Sequence, residues 1–588
     1  MADVESGTTT DKCTVQWQDL SVTIRRRKFE KVILQPISGA AEPGDVLAIM
    51  GPSGSGKTTM LDALAGRLLS SKLQGKVMVN GHVPSQRLRE TLISYVPQED
   101  SLMGSFTVRE SLRFAIRFHY GYRISKQQME GLLDGVLEAV GLNNAADTLV
   151  GDIFRKGLSG GQKRRLSLGV ELVKKPAVLV LDEPTSGLDS ASAFGVMDGL
   201  VRLAAKGHTV ITTIHQPSSE IWTLFDKFLL LSLGRTIYFG QAKNAPQYFG
   251  KMGHNVPEYS NPTDFFIGLV NTDFPLYSAD VEALAKNYAE SEEKKRMLEI
   301  VAKVAKQDKF SKRTSASAVE DFVTLSVRNL KNNVRNPGIF WVRFVMYVML
   351  SLMIGLMYLN LGDDFSTSSI TSRVSMIFYV AAFLVFMSVA VLPFFIMERA
   401  GFLRERCNGA YGVPAAVLSQ MVCFFPGVFL IALCCTVCIV PLSGMNNFGV
   451  YLACLTSALF TAEAAMCFIG SCVPHYIIGI ALGAGQFGFF MLCQGFFIVR
   501  DEIPGWFIWG HYMAFHTYTF RAFMRNEFHP IEKFNDPRFG TGDAVLAFYS
   551  ITTDPDDTII DLVVICSIGF AYCLAYALVL QFWHTGQR

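Results

Sequence analysis

Charged residues are scarce in this 588-residue chain, and the scarcity is uneven. Only 18% of the residues are Asp, Glu, Lys or Arg, whereas soluble domains carry about 25%. Of the 53 Lys and Arg residues, only 11 lie from residue 336 onward. The part before residue 336 has a formal charge of +6 and the rest has −4, so the near-neutral total is a cancellation. Length and composition also exclude a disordered chain, a collagen-like repeat and a small disulfide scaffold.

A signal peptide and a metal-binding or disulfide pattern of cysteines are also missing. The first 30 residues are polar and contain no apolar core of signal-peptide length, so we expect the first part of the chain to stay in the cytosol. Eleven of the 12 cysteines fall between Cys407 and Cys573, in or beside apolar segments, and they show neither a zinc spacing nor a disulfide framework. We therefore interpret them as small hydrophobic residues of a helix bundle.

Long apolar runs are present in the second part. Each is close to the roughly 20 residues that span a bilayer as a helix. The six predicted spans are 339–359, 374–397, 414–440, 448–470, 476–499 and 559–582. Arg399, Arg404 and Arg406 place the loop after the second span in the cytosol. Residues 500–558 hold five basic and nine acidic residues and should face outward, and an even number of spans returns the C-terminus to the cytosol.

The first part alternates short apolar runs with helical patterns. Val46–Met50 and Val178–Leu181 are almost continuously apolar, as expected for buried strands of a parallel sheet. A charged, helix-prone run follows at 292–312, and residues 325–335 suit a helix on the membrane surface. The predicted organisation is an α/β domain at 1–290, a linker and connecting helix at 291–335, and an all-α membrane domain at 336–588.

A glycine-rich loop follows the strand that ends at Met50 and precedes a helix-like segment. The motif consists of Gly51, Pro52, Ser53, Gly54, Ser55, Gly56, Lys57 and Thr58, followed by Thr59. This is a P-loop in its strand–loop–helix context. Its backbone N–H groups wrap phosphates, Lys57 contacts the β- and γ-phosphates, and the Thr58 hydroxyl binds Mg²⁺.

A second strand, Val178–Leu181, ends in Asp182 and Glu183. Asp182 then lies at the carboxyl edge of the sheet, where it can reach Mg²⁺ through water. Glu183 is placed to polarise the attacking water. Paired with the P-loop, these acids predict hydrolysis of a nucleoside triphosphate.

Three further elements accompany the pair. The run Leu158, Ser159, Gly160, Gly161 and Gln162 opens a helix and can present N–H groups and a hydroxyl to phosphate. His215 follows an apolar strand, and Gln98 lies in a polar loop. Each can sense the γ-phosphate or the metal. Taken alone, His215 would be a structural histidine and Gln98 a surface residue.

Together these motifs resemble the ATPase of ABC transporters. The resemblance covers Walker A at 51–58, the Q-loop Gln98, the signature at 158–162, Walker B at 178–183, the D-loop at 186–189 with Asp189, and the switch His215. It implies ATP and Mg²⁺ as cofactors and a head-to-tail pair of ATPase domains. Ser159 and Gly161 would then act on ATP held by Lys57 of a partner chain. With one ATPase domain and six spans, the chain resembles a half-transporter that must dimerise.

The order of the domains is similar to that of the ABCG (white–brown complex) subfamily. Residues 215–220, 261–266 and 526–528 share this resemblance, and 186–194, 271–274 and 404–412 look most like plant members associated with cuticular lipid export. The signature reads Ser-Gly-Gly-Gln-Lys-Arg where members commonly have Ser-Gly-Gly-Glu-Arg-Lys, which preserves the phosphate contacts. The outer loop lacks the cysteines that link some animal dimers. Phe29 is the candidate for stacking on adenine.

The membrane part shows no ladder of ionisable residues for an ion path. Glu463 is predicted to be the one acid deep in a span, and Asp561 lies near the end of another. An acid at such a position marks a functional site or a hydrogen bond between helices. Both interpretations of Glu463 stay open on the sequence.

Phenylalanine is concentrated in the second and fifth spans. The resemblance to the ABCG subfamily implies that the transport cavity is lined by Phe383, Phe386, Phe487 and Met491. It also implies that Phe496 and Phe497 form an apolar plug below the exit. It implies export of a hydrophobic molecule, such as a lipid, a wax or cutin precursor or a sterol, across the plasma membrane by a homodimer or heterodimer. A terpenoid, hormone or xenobiotic is the alternative cargo, an importer is less consistent with the membrane half, and a non-transport ATPase conflicts with the six spans. No nucleic-acid partner is expected.

Overall fold

Two sheets organise the N-terminal part of the chain in the computed structural model, which describes residues 12–26, 29–68, 72–152, 154–272, 280–304 and 316–584. The strands are β1 (Val15–Arg26), β2 (Phe29–Ala41), β3 (Val46–Met50), β4 (Leu73–Val79), β5 (Ile93–Val96), β6 (Val178–Leu181), β7 (Thr209–Thr213), β8 (Lys227–Ser232) and β9 (Arg235–Gln241). The first sheet has the order β2-β1-β4 and is antiparallel. The second has the order β5-β6-β7-β3-β8-β9, and only β9 runs antiparallel to its neighbour.

The larger sheet brings the sequence motifs together. Strands β6, β7 and β3 are adjacent and parallel, and every residue of all three is buried. Their carboxyl ends therefore meet at one edge. The P-loop leaves from β3, Asp182 from β6 and His215 from β7.

Twelve α-helices accompany these strands in the described residues before the first membrane segment. They are α1 (Lys57–Leu64), α2 (Gln86–Leu92), α3 (Val108–Tyr120), α4 (Lys126–Val140), α5 (Gly160–Leu172), α6 (Ser190–Ala205), α7 (Ser219–Trp222), α8 (Ala245–Lys251), α9 (Pro262–Val270), α10 (Val281–Glu290), α11 (Glu292–Lys303) and α12 (Ala318–Arg335). The predicted charged helix at 292–312 is present as α11, and residues 305–315 lie outside the described part. The connecting helix begins at Ala318, earlier than the sequence suggested.

Two compact units emerge from the contacts. The ATPase unit comprises the described residues up to Asp321 and the segment Gly401–Gly412, and the membrane unit comprises Phe322–Ala400 and residues 413–584. The segment Gly401–Gly412 thus belongs to the ATPase unit, although it begins inside the second membrane segment, Thr367–Cys407. A pattern of hydropathy does not reveal this assignment, because the segment is a short polar stretch.

The membrane unit has six helical segments that are long and apolar enough to cross a bilayer, as the sequence predicted. They are Pro337–Asp363, Thr367–Cys407, Val413–Ser443, Phe448–Cys472, Tyr476–Cys493 and Asp556–Phe582. Their regular helices are α13 (Val342–Met357), α14 (Thr367–Tyr379), α15 (Leu392–Cys407), α16 (Val413–Ser443), α17 (Phe448–Cys472), α18 (Tyr476–Cys493) and, after the outer segment, α22 (Asp556–Phe582). The second segment is longer than predicted and contains irregular turns at Val380–Leu384 and Met387–Val391. The fifth is shorter, because α18 ends at Cys493.

The acids of the membrane unit form contacts between elements. Glu463 lies inside the fourth candidate span and Asp561 near the beginning of the sixth, as predicted, and Glu398 lies toward the end of the second. Glu463 forms an ion pair with Arg343 of α13, and Asp561 forms one with Arg525. Each of these acids joins two parts of the chain. All 12 cysteines are free thiols, in agreement with their interpretation as small hydrophobic residues.

The segment between the fifth and sixth spans contains three helices, α19 (Ile508–Met513), α20 (Phe515–Phe528) and α21 (Gly542–Phe548). Most of α20 is buried, including Arg525 and Glu527. The Glu527 carboxylate forms an ion pair with Arg373 of α14, and Arg525 Nη1 lies 3.0 Å from Asp561 Oδ2 of α22. Helix α20 is therefore attached to both the second and the sixth spans.

Candidate nucleotide site

The P-loop has a backbone that only glycine adopts easily. Gly51, Gly54 and Gly56 have φ angles of +152°, +77° and +99°. A Cβ on Gly51 would lie 2.1 Å from the carbonyl oxygen of Leu231. Since L residues avoid these angles and this contact, the three glycines fix the loop that ends at α1.

Lys57 and Ser55 give this loop its chemistry. Lys57 Nζ donates to the carbonyl oxygens of Gly51 at 2.7 Å and Pro52 at 3.0 Å. Burial lowers the pKa of Lys57, and the nearby carboxylates of Glu183 and Asp182 oppose that shift. Ser55 Oγ is buried and has no hydrogen-bond partner among the described residues. An ammonium and an unpartnered buried hydroxyl in a loop of this shape fit the oxygen atoms of a phosphate.

Asp182 is the centre of a hydrogen-bonded group at the edge of the sheet. Its Oδ1 accepts from the hydroxyls of Thr213 at 2.6 Å and Thr58 at 3.4 Å, and its Oδ2 accepts from Tyr95 Oη at 3.3 Å. A carboxylate beside the Thr58 hydroxyl is a set of oxygen donors that suits Mg²⁺. The two predicted metal-binding residues Thr58 and Asp182 are thus brought into contact.

Glu183 lies in a strained backbone conformation next to the third predicted metal-binding residue, Gln98. Its φ angle is +45°, a left-handed value that is uncommon outside glycine. The Glu183 N–H donates to Thr213 Oγ1 at 2.9 Å, and Gln98 Nε2 donates to Glu183 Oε2 at 2.8 Å. A strained turn held by such hydrogen bonds is frequent at functional sites. It aims the Glu183 carboxylate toward the Q-loop.

His215 lies next to the P-loop. Its Nε2 is 3.5 Å from Ser53 Oγ, within the limit of a weak hydrogen bond. The structure therefore brings the switch histidine to the P-loop and the Q-loop glutamine to Glu183. Thr59 follows in the first turn of α1. The side chain of Phe29, the candidate for adenine stacking, lies outside the described residues.

The signature residues occupy the beginning of α5. Ser159 Oγ accepts from the Gln162 N–H at 3.3 Å, and Gln162 Oε1 accepts from the Ser159 N–H at 2.9 Å, a reciprocal cap. Ser159 and Gly160 are exposed. A Cβ on Gly161 would lie 2.9 Å from Ser192 Cβ. The exposed start of a 13-residue helix can offer its N–H groups to an anion from outside the chain.

Asp189, the D-loop acid, caps the next helix. Its carboxylate accepts from the Ser192 N–H at 2.9 Å and the Ser192 hydroxyl at 2.7 Å. These hydrogen bonds lower the pKa of Asp189, which is exposed. Asp189 is therefore a fixed anionic cap of α6 beside the signature helix.

Sequence reasoning missed Arg164, which connects the signature helix to the nucleotide edge. Its guanidinium donates to the carbonyl oxygens of Asp182 at 2.7 Å and Gln98 at 3.2 Å, and it pairs with Asp100 at 3.2 Å. The side chain is only 5% exposed. Within the basic run after the signature, nothing in the sequence separates Arg164 from its half-buried neighbours Lys163 and Arg165.

Asn408 and Tyr95 were also missed, and they link the segment Gly401–Gly412 to Walker B. Asn408 Nδ2 donates to the Tyr95 carbonyl at 3.0 Å, and the Tyr95 N–H donates to Asn408 Oδ1 at 3.4 Å. Lys174 Nζ donates to the Asn408 carbonyl at 3.3 Å. Tyr95 in turn donates to Asp182, so two residues connect this segment with the predicted metal site.

Comparisons with known proteins agree with this geometry. Residues 34–186 match the family described as ABC transporter, and residues 320–528 and 215–283 match two families described as ABC-2 type transporter. ABC transporter G family member 11 of Arabidopsis thaliana is 37% identical over 547 residues, which cover 87% of this chain and 77% of that protein. ABC transporter G family member 1 of Petunia hybrida is 35% identical over 87% of this chain and 83% of its own length. Member 13 of Arabidopsis thaliana is 33% identical over 97% of this chain and 91% of its own length.

The relatives extend over both units of the chain. The nucleotide motifs converge at one sheet edge, and the membrane unit supplies six candidate spans. ATP hydrolysis in such a protein is coupled to export of substrates across a membrane. This chain therefore belongs to the ABC transporter G family, as an integral-membrane half-transporter with one nucleotide-binding domain.

Proposed function

We propose that the protein is a dimeric, ATP-driven exporter of a hydrophobic molecule such as a lipid, a wax or cutin precursor or a sterol. The dimer consists of two identical chains or of this chain and another half-transporter of the family. Its termini lie in the cytosol and the host membrane is the plasma membrane. The observation that carries the proposed cargo is a series of aromatic contacts along the second and fifth spans.

These contacts run between the residues predicted for the transport path. Phe383 and Phe386 have ring centroids 6.3 Å apart, and Phe386 and Phe487 are 6.4 Å apart. Phe496 is 5.0 Å from Phe497, whose side chain is exposed. Met491 is half-buried on the same helix as Phe487. The fifth span carries no charged residue, and a path lined by aromatic rings favours an apolar cargo over an ion or a sugar.

The nucleotide site supplies the driving reaction. Lys57, Ser55 and the loop N–H groups bind phosphate, and Glu183 accepts a proton from the attacking water while Gln98 and His215 position it. Thr58, Asp182 and Gln98 would hold Mg²⁺, which neutralises phosphate charge when bound. Ser159 and Gly161 act on the ATP of the partner chain, and the exposure of Ser159 and Gly160 at the beginning of α5 supports this.

Asn408 and Tyr95 support a route from the site to the membrane domain. A shift of Asp182 moves Tyr95 through its hydroxyl, and Tyr95 holds Asn408 through two backbone hydrogen bonds. Asn408 follows the second span along the chain. Closure of the ATPase pair can therefore act on that span, and binding of two ATP molecules would favour the outward-open state.

Phe386→Ala tests the aromatic path. One aromatic contact contributes about 0.5–1.5 kcal/mol, so we expect uptake of the exported lipid into inverted vesicles to fall by about 2–10-fold. Basal ATP hydrolysis should be retained, because the change lies in the membrane unit. Labelled fatty-acid, wax, sterol and terpenoid candidates are compared in the same assay.

Phe570→Ala is the matched control. Phe570 lies on the sixth span and is 65% exposed, so its removal should leave uptake unchanged. Equal uptake by wild type and Phe386→Ala for every labelled candidate would remove the aromatic path from the proposal.

Mixed dimers test whether the two sites are shared between chains. Lys57→Ala and Ser159→Arg should each abolish ATP hydrolysis in a homodimer. If each site combines Lys57 of one chain with Ser159 of the other, a mixed dimer has one intact site. Purification through one tag on each variant leaves only mixed dimers, so co-expression should restore about half of the wild-type rate, since each mixed dimer has one of two sites.

The readout is the ATPase rate of dimers purified through two different affinity tags, one on each variant. A chain carrying both substitutions, co-expressed with wild type, has a defect in each site and is the control. No gain of the mixed dimer over this control would mean that each site lies within one chain.

A further inference from the structure

A cavity of about 260 Å³ lies within the membrane unit, apart from the aromatic path. Its walls come from α12, the beginning of the first span, the end of the second span, the first half of α16, and Glu463 of α17. Its lining contains no residue of the fifth span. Neither the nucleotide site nor the proposed export path uses this cavity.

The base of the cavity is polar and its charges are balanced. Glu463 forms an ion pair with Arg343, and their side chains are 4% and 11% exposed. Glu398 accepts from Asn332 Nδ2 at 2.5 Å and is close enough to Arg328 to interact electrostatically. Each carboxylate in the wall thus has a cationic neighbour. A ligand with a net charge would bring an uncompensated charge into this environment, which is costly.

One hydrogen-bond donor at the base of the cavity has no acceptor among the described residues. This donor is Arg343 Nε, which is buried. A buried donor without an acceptor is unfavourable, and an oxygen atom of a ligand could accept this hydrogen bond. Carboxylates have several acceptor positions, so a hydroxyl group can accept from Arg343 and donate to Glu463.

The mouth of the cavity is apolar. Leu330, Val334, Trp341 and Leu430 are each 40–58% exposed. Trp341 Nε1 donates to the Val334 carbonyl at 2.8 Å, which leaves its ring as an apolar rim. Tryptophan is typical of the bilayer interface, Leu430 lies on the third candidate span, and Leu330 and Val334 lie on α12, which the sequence places at the membrane surface. Ligands therefore enter from the bilayer.

The size of the cavity limits the ligand further. Pockets for drug-sized molecules occupy about 300–1,000 Å³, so this cavity holds a head group and one chain or part of one ring system. A phospholipid with two chains is too large. The walls of the cavity come from the start of the first and third spans, the end of the second, and Glu463 of the fourth. These parts of the spans lie on one side of the bilayer.

We propose that this cavity is a binding site for a single neutral membrane amphiphile with a hydroxyl head group, held by Arg343 Nε and Glu463 and taken up from the leaflet on the side of the connecting helix. A long-chain primary alcohol and a sterol share this chemistry. The site does not depend on which molecule is exported, because it is a property of one chain without ATP.

The test uses the full-length protein in nanodiscs without nucleotide. Hexadecanol with a diazirine in its chain is photoactivated, and the attachment site is mapped by mass spectrometry. We expect labelling within 330–343 or 420–431. Excess unlabelled hexadecanol or sterol should compete with the probe. Comparison of the two competitors shows whether the site takes a hydroxyl group on a chain or on a ring system. Excess palmitate should compete poorly.

Two variants probe the base and the mouth. Arg343→Lys keeps a positive charge opposite Glu463 but removes the Nε–H, and labelling should fall about fivefold or more. Leu430→Trp narrows the mouth without changing a buried polar group, so it remains informative if Arg343→Lys folds poorly. Leu574→Trp, at a 62% exposed position of the sixth span, is the control.

Three results would overturn the proposal. The first is labelling that Leu430→Trp and Arg343→Lys leave equal to wild type. The second is labelling confined to other segments of the chain. The third is competition by palmitate as strong as that by hexadecanol, or competition by neither alcohol nor sterol.

Discussion

Glu183→Gln should lower ATP hydrolysis by about 10²–10⁴-fold, the usual contribution of a general base. The Gln side chain has the size of Glu and accepts the same left-handed backbone at φ +45°, so the turn after β6 is retained. Its amide oxygen can still accept from Gln98 Nε2, which now lies 2.8 Å from a Glu183 oxygen. The substitution therefore removes proton acceptance and little else.

ATP binding should survive this change, because Lys57, Ser55 and the P-loop glycines are untouched. We expect the variant to retain ATP after gel filtration and to remain in the ATP-bound dimer. The measurements are phosphate release and bound nucleotide per chain, with Glu220→Gln as the control, since Glu220 is an exposed acid of α7. Phosphate release at the wild-type rate would show that another residue is the base.

The convergence of the nucleotide motifs at one edge of the sheet could be predicted because each motif is a run of consecutive residues, whereas the roles of the individual residues stay predictions. A P-loop, Walker B and the signature are short patterns, and parallel strands bring their carboxyl ends to one edge. The contacts of Thr58 with Asp182 and of Gln98 with Glu183 follow from that rule. Arg164 and Tyr95 could not be found in this way, because their roles depend on contacts with residues distant in the sequence.

The sequence predicted the number of spans in the membrane unit, but it did not predict the polar contacts between them. Hydropathy identifies six segments, since a helix must satisfy its own backbone in lipid. It treats Arg343, Arg373 and Asp561 as isolated interruptions of apolar runs. Their partners, Glu463, Glu527 and Arg525, lie 120, 154 and 36 residues away, and no periodicity links such pairs. The role of the cavity residues Phe383 and Phe386 stays a prediction.

Glu527→Gln should destabilise the membrane unit by about 3–5 kcal/mol, the usual effect of removing one partner of a buried ion pair. Glu527 and Arg373 are 0% and 1% exposed, so water cannot replace the lost carboxylate. Arg373 Nη2 also donates to the carbonyl oxygens of Leu361 and Gly362 at 2.8 Å, which hold the guanidinium in place beside the neutral amide. Its charge would be left buried without a counterion.

The same carboxylate also holds the loop between the third and fourth spans. Glu527 Oε2 accepts from the Asn446 N–H at 2.9 Å, and Asn526 Nδ2 donates to the Asn446 carbonyl at 2.9 Å. Residues 526–528, known from sequence only as a family motif, thus attach α20 to the second span and to this loop. A weaker attachment should loosen α20 from the second span and from this loop, while Arg525 and Asp561 still hold it to the sixth span.

The measurement is the thermal loss of the dimer peak in detergent, with Glu502→Gln as a control because Glu502 is exposed in the same outer segment. The double variant Arg373→Met with Glu527→Met removes both charges and should be more stable than Glu527→Gln alone, since no buried charge is left unpaired. Equal melting of wild type and Glu527→Gln would mean that the pair is not buried in the assembled transporter. A double variant as unstable as Glu527→Gln would instead assign the loss to the contact with Asn446. Neither Gln nor Met at position 527 offers the Asn446 N–H an acceptor as good as the carboxylate.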